Sequence, residues 1–182
     1  DCQVAILENA ITRYSVSKKI PHPLGTDHPS ISPFGAFKAK NSTVVLAAGN
    51  QKIFENLCKA ISRNDLIQEK KFLDNELRNK NLKLLRKQIE KTLITKNAEY
   101  WIKKLRTLEV PCCKIENVKS LINNPQIQNR NMILDYVDND FGKINVVGNP
   151  IKIEGVKESK VASKAPDLDQ NRLQILKEFG IT

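Results

Sequence analysis

The chain has 182 residues, 40% of them hydrophobic, and carries 30 Lys and Arg against 20 Asp and Glu for a net charge of +10. That length holds one domain, or one small domain with arms. No run approaches the roughly 18 apolar residues of a membrane span, and no basic, apolar signal segment opens the sequence.

The positive charge favours polyanions as a class: nucleic acid, an anionic membrane or a phosphate-rich cofactor. The plainer reading is a solvated lysine-rich surface. The first residue is Asp1 and not Met, so the sequence is expected to be a piece of something longer.

In chain order, Val4, Leu7, Ala10, Ile11 and Tyr14 recur at helical spacing and predict one amphipathic helix over residues 1–14. Pro21, Pro23, Pro29 and Pro33 then exclude an ordinary helix or central strand, leaving 15–33 as an extended linker. At its centre lies Gly25-Thr26-Asp27-His28-Pro29-Ser30. Gly25 would let a backbone approach a ligand closely, and His28 could donate a hydrogen bond or take a proton near neutral pH. The plainer alternative makes Gly25 a turn residue and His28 a linker cap. His22, between two prolines, reads as structural.

Phe34 to Lys40 and Thr43 to Ala47 read as two strands around a turn at Asn41-Ser42. Gly49-Asn50 opens a helix with an apolar face of Ile53, Phe54, Leu57, Cys58 and Ile61. After a loop at Asn64-Asp65, Phe72 and Leu77 lead into a helix striped by Leu82, Leu85, Ile89 and Leu93. Lys83, Arg86, Lys87, Glu90 and Lys91 fall largely on its wet side. Thr95 is the expected N-cap of a third helix that buries Ala98, Trp101, Ile102 and Leu105.

Residues 110–153 read as short strands and turns. Val110 to Ile115 and Ile144 to Val147 are the strand candidates, Asn124-Pro125 a turn or helix start, and Gly142 and Gly148 points of backbone freedom. A polar, lysine-rich arm follows over 154–164, and Leu173, Leu176 and Phe179 mark a last short helix with Gly180 near its end. Cys2, Cys58, Cys112 and Cys113 form no C-x-x-C pair and have no His nearby. Free cytoplasmic thiols are expected rather than a disulfide framework or a metal site.

Several of these motifs occur together in one family. Val110-Pro-Cys-Cys-Lys-Ile115, Asn124-Pro-Gln-Ile127 with Arg130-Asn-Met132, and Gly148-Asn-Pro-Ile151 resemble, in order and spacing, the C-terminal part of class III CoA-transferases. Gly25…His28-Pro29…Pro33-Phe34…Phe37, Gly49-Asn50…Phe54…Leu57-Cys58, Phe72…Asn75…Arg78…Asn81…Leu85 and Trp101…Leu105 are similar to further segments of the same family. The match fades in the tail, where Asp169-Gln170-Asn171 stand in place of a family Gly-Glu-His.

The resemblance implies an α/β fold, with an α+β small domain and extended arms that interlock in a homodimer, the Rossmann-like large domain being mostly absent from these residues. It assigns 1–14 to the closing helix of that large domain, 15–33 to a linker, 34–117 to the small domain, and 118–182 to a return arm with its terminal helix. It further implies transfer of CoA from an acyl-CoA to a carboxylic acid through an aspartyl-CoA intermediate. No acidic residue here matches the nucleophilic Asp, which is expected outside these residues, so the chain alone should be inactive. Gly25, Thr26, Asp27 and His28 occupy the place of a substrate-covering loop and are the candidate site. Coenzyme A enters as a substrate, and no metal is expected. Expected partners are acyl-CoA, a carboxylic acid, and a second copy or a separate large-domain chain, in the cytoplasm, away from membranes. Lys18, Lys19 and the Lys83–Lys91 face could attract a CoA phosphate or be solvated surface.

Three alternatives remain at this point. A racemase branch of the family uses a carboxylate near the start of the helix at Asn50, where this chain has only Asn50-Gln51-Lys52 before Glu55. A decayed, inactive fragment is the second. A basic domain that binds nucleic acid or protein is the third, opposed by an aromatic content of only 5% and by dispersed basic residues.

Overall fold

The computed structural model describes residues 1–138, 141–158 and 165–181. The chain divides into two units, 1–115 and 116–182. Both are mixtures of helix and small antiparallel sheet.

In the first unit, β1 (Phe34–Lys38), β2 (Thr43–Ala47) and β3 (Cys112–Lys114) form an antiparallel sheet in that order. The β1–β2 register pairs Phe34 with Ala47 and Lys38 with Thr43. Side chains alternate across a pleated strand, and accordingly Phe37, Val44 and Leu46 are buried.

Helices α3 (Gln51–Ala60), α6 (Leu82–Leu93) and α7 (Ala98–Thr107) close the core over the sheet. Phe54 and Leu57, Leu85 and Ile89, and Trp101 and Leu105 recur at three or four residues and point inward. Each such fully buried Phe or Leu stabilises by roughly 2 kcal/mol. Trp101 places its indole N–H on the Leu93 carbonyl at 2.7 Å, so its burial leaves no orphaned donor. Asn50 caps α3, its side-chain oxygen accepting from the Ile53 N–H at 2.9 Å.

Four features of the first unit differ from the sequence reading, and in the second unit Val118–Ile122, read among short strands and turns, is helical. The first segment is two helices, α1 (Cys2–Ala5) and α2 (Glu8–Ser17), neither with a buried residue. Asn64-Asp65 opens a short helix, α4 (Asp65–Gln68), and α5 (Asn75–Lys80) precedes α6 as a separate turn of helix. Thr95 does not cap α7. That helix starts at Ala98, whose N–H is taken at 2.9 Å by the Asn41 side chain from the β1–β2 turn, a tertiary partner that local spacing could not reveal. The fourth concerns Arg86 and Glu90, which turn toward the sheet edge as described below.

The second unit holds α8 (Val118–Ile122), α9 (Pro125–Asn129), an antiparallel pair β4 (Ile133–Asp138) and β5 (Gly142–Val147), and α10 (Arg172–Glu178). Asn124 caps α9 with Pro125 at its first position. A Cβ at Gly148 would collide with the Asn131 carbonyl, so the close approach there requires glycine. None of the described hydrophobic side chains in this unit is buried, with Phe141, Val147 and Leu173 each about four-fifths exposed. The arm expected over 154–164 lies outside the described residues from 159 onward.

Candidate functional site

The Gly25–His28 loop lies along the outer edge of β1. An edge strand offers unpaired backbone groups to solvent or to another strand. In β1 those outward groups belong to Phe34, Ala36 and Lys38, because Gly35 and Phe37 are spent on β2. Four of these groups find partners in the loop and in α6. The Phe34 carbonyl accepts from the His28 N–H at 2.9 Å. The Ala36 N–H donates to Thr26 Oγ1 at 3.1 Å, and its carbonyl accepts from Arg86. The Lys38 N–H donates to Glu90 Oε1 at 3.0 Å. A four-residue loop and two side chains of α6 therefore cover the edge.

The candidate residues divide by what they do there. Gly25 has φ +63° in a turn closed by the Asp27 N–H on the Leu24 carbonyl at 3.2 Å, and open space surrounds its Cα. Thr26 is committed to Ala36. Asp27 forms an ion pair with Arg86, both side chains 23% exposed. His28 stacks on the Phe34 ring at 5.1 Å, and its Nδ1 accepts from the Ser30 and Ile31 N–H groups, each at 3.1 Å. An accepting Nδ1 places the neutral ring's proton on Nε2, which makes no hydrogen bond among the described residues and remains a donor. His22 is exposed in the linker and joins none of this.

Three contributors escaped sequence reasoning. Gly35 is one: a Cβ there would lie 2.7 Å from Asp27 Oδ1 and 2.8 Å from the Thr26 carbonyl, so the loop reaches β1 only because position 35 has no side chain. Arg86 and Glu90, expected on the wet face of α6, turn instead to the edge of β1. Arg86 also lies over the Phe37 ring, 4.3 Å from its centroid. Their i,i+4 spacing in an otherwise lysine-rich face was the available signal.

The stretch after the loop is fastened separately. Asn75 and Asn79 both donate to the Ser30 carbonyl at 2.7 Å, and the Ser32 N–H donates to Asn75 Oδ1 at 3.0 Å. Arg78, 2% exposed, donates from Nε to the Ser32 carbonyl at 2.8 Å and from one terminal nitrogen to Gln51 Oε1 and the Phe72 carbonyl. Burial lowers its pKa, which Asp74 partly offsets, but a guanidinium remains charged. The Asn75…Arg78 spacing is thus a clamp on residues 30–32. At the start of α3, the Asn50 oxygen caps the helix and the Gln51 side chain bridges Arg78 and Glu55.

Among the described residues, no group of three His, Cys, Asp or Glu is arranged to hold a metal ion. No described helix is long and apolar enough to cross a membrane. All four cysteines are free. Cys58 sits in the core, where burial pushes its thiol up to about 12, while Cys113 is exposed on β3.

The model of CoA-transferase family III matches residues 1–172. The chain is 31% identical over 180 residues to an acetyl-CoA:oxalate CoA-transferase of Acetobacter aceti, covering 99% of this chain and 45% of that protein. It is 32% identical over 180 residues to the succinyl-CoA:glutarate CoA-transferase of Homo sapiens, covering 97% and 40% respectively. In backbone, it matches a CAIB/BAIF family protein from Brucella suis with a TM-score of 0.78 at 24% identity, over 98% of this chain and 46% of that one. The chain therefore spans less than half the length of these relatives.

Proposed function

Because the chain belongs to CoA-transferase family III, a family of enzymes, we propose that it is the small-domain portion of a transferase that moves CoA between carboxylic acids. The observation that carries this is the family match over residues 1–172. The relatives are named for transfer between an acyl-CoA and a dicarboxylic acid, which supports acyl-CoA and a carboxylic acid as the substrate classes.

In this reading the nucleophile is an Asp outside the 182 residues. Its carboxylate attacks the donor thioester carbonyl and expels CoA thiolate, leaving a mixed anhydride. The thiolate then attacks the aspartyl carbonyl, releasing the donor acid and forming an aspartyl-CoA thioester. The acceptor carboxylate repeats the two steps in reverse and regenerates the Asp. The chain's own part is to wall the acyl group with the 25–28 loop. The backbone at Gly25 and the Nε2–H of His28 are the groups there not consumed by the fold, and donors aimed at developing oxyanion charge lower such barriers. Residues 15–33 and 118–182 act as arms, completed by a second copy in a homodimer; the many exposed apolar side chains of α2 and of the second unit support that.

The racemase branch is disfavoured by the start of α3. Asn50 and Gln51 cannot exchange a proton, and both are already engaged as cap and bridge.

The test is to incubate the full-length gene product with acyl-CoA, trap the thioester with hydroxylamine, and map the modified carboxylate by mass spectrometry. The reading expects the label on an Asp outside residues 1–182. Label on an acidic residue within them, or no CoA transfer across a panel of dicarboxylic acids, rejects it.

A further inference from the structure

The Asp27–Arg86 pair is the part of this site that no recognised motif contains. We propose that Arg86 is a positioning residue: it latches the Gly25–His28 loop against β1 in one place, so that the loop is a fixed wall and not a free flap. The functional half of this proposal rests on the loop facing the acyl group; the latch itself does not.

Three restraints converge on the same few atoms. The guanidinium fork of Arg86 reaches the Asp27 carboxylate, Glu90 at 3.4 Å and the Ala36 carbonyl together. The planar, multiply donating arginine head suits this arrangement, whereas a lysine ammonium is a point charge that cannot span all three. Thr26 Oγ1 takes the N–H of the same Ala36. Gly35 leaves open the space that Asp27 and the Thr26 carbonyl enter.

Swinging the loop away would strip the Ala36 N–H of its partner and take the Asp27 carboxylate from a half-buried guanidinium, leaving it only Glu90 and the Ala36 carbonyl. Charge-assisted hydrogen bonds in partly buried positions are the stronger ones, and leaving such groups unmet is costly. The loop is consequently held by the Asp27–Arg86 pair and by the Thr26 hydroxyl on the Ala36 N–H, and not by its own stiffness. Gly25 makes it locally pliant, so without the latch the middle of the loop rests on the Thr26 bond to Ala36, while His28 keeps its backbone bond to Phe34 and its stack on the Phe34 ring.

The consequence for catalysis follows from populations. If the binding-competent loop is present only a tenth of the time, apparent affinity falls about tenfold while the saturated enzyme turns over as before.

Two measurements decide this. Amide hydrogen exchange on the 182-residue chain compares wild type with Arg86→Gln, Arg86→Lys, Asp27→Asn and the Arg86→Gln/Asp27→Asn double variant. Exchange at Ala36 should speed up about tenfold in each single variant, the double variant should add little, and Leu46 in the central strand should stay as in wild type. Unchanged exchange at Ala36, or Ala36 moving in step with Leu46, overturns the latch. In the full-length protein, Arg86→Gln should raise KM for the acceptor acid about tenfold with kcat steady, and Arg86→Lys should not rescue it. A loosened loop with unchanged KM overturns the positioning role. If the wild-type protein transfers no CoA, the functional reading fails by itself, and the exchange result still stands for or against the latch.

Discussion

Arg78 Nε lies 2.8 Å from the carbonyl oxygen of Ser32, joining a helix residue to the end of the linker 46 positions earlier in the chain. The guanidinium is 2% exposed, lies 4.3 Å over the Phe54 ring, and has the Phe72 carbonyl and the Gln51 side chain as its other acceptors. Truncation would leave three buried or half-buried acceptors unmet. Arg78→Leu is expected to destabilise the chain by roughly 3 kcal/mol, and Arg78→Lys by a smaller but clear amount, because an ammonium cannot serve the same three directions. Urea unfolding followed by circular dichroism measures both, and a Leu variant as stable as wild type would remove the clamp.

The glycines should separate by environment rather than by residue type. Gly35→Ala forces a methyl against Asp27 and the Thr26 carbonyl, where overpacking costs about 1–3 kcal/mol. Gly25→Ala meets no atom but must hold φ +63°, at about 1 kcal/mol. Gly49→Ala meets neither obstacle and should be near neutral, within about 0.5 kcal/mol. The same unfolding experiment ranks them, and only the substitution at 35 should also speed exchange of the Ala36 amide.

The core of the first unit was legible because its signals are periodic. Phe54, Leu57, Leu85, Ile89 and Trp101 announce themselves by spacing and are buried as that spacing requires. The site was legible only as a segment. Gly25 to His28 stand out through local chemistry, but Thr26 and Asp27 find their partners 10 and 59 positions away, at Ala36 and Arg86, and no local pattern encodes that. Arg86 and Glu90 have the composition of a solvated helix face and become site residues only once β1 presents its edge. Thr95 shows the same limit in reverse: a good local cap was overridden by Asn41 from a neighbouring turn. The second unit offered turn signals that were met, at Asn124-Pro125 and at Gly142 with φ +70°, but no buried periodicity from which a core could be read.

Glu99 reports on the sheet edge at β3. Its carboxylate is held down at about 2, chiefly by the Lys114 ammonium at 2.8 Å, with its own backbone and Asn41 adding to the effect. A depressed acid favours the fold above its ordinary range, and that contribution is lost as pH falls toward about 2. In Lys114→Met the Glu99 titration should move up toward the usual carboxylate range in a carbon-detected NMR titration. The pair is solvent-exposed, so little change in stability at neutral pH is expected. A Glu99 that titrates as before in the variant would assign the shift to Asn41 and the backbone alone.

Cys58 makes the opposite prediction at high pH. It is fully buried among Phe54, Leu57 and Ile61, and burial raises its thiol to about 12 from an ordinary 9.0, against a lowering by Arg78. Between those values the unfolded chain has lost the thiol proton while the folded chain keeps it. Fewer protons on the unfolded state mean that stability falls as pH rises, by about 1.4 kcal/mol per pH unit from this group. Below pH 9 the contribution is complete. Cys58→Ala should cost about 1–2 kcal/mol at pH 7 for the lost sulfur, and should flatten the decline above pH 9 relative to wild type. Alkylation by iodoacetamide at pH 8 provides the companion measurement: Cys2 and Cys113, both exposed, should be labelled within the folded chain while Cys58 is spared until denaturant is added. Labelling of Cys58 at the rate of Cys113 would mean that the α3 face opens in the native state, and the pH slope should then vanish with it.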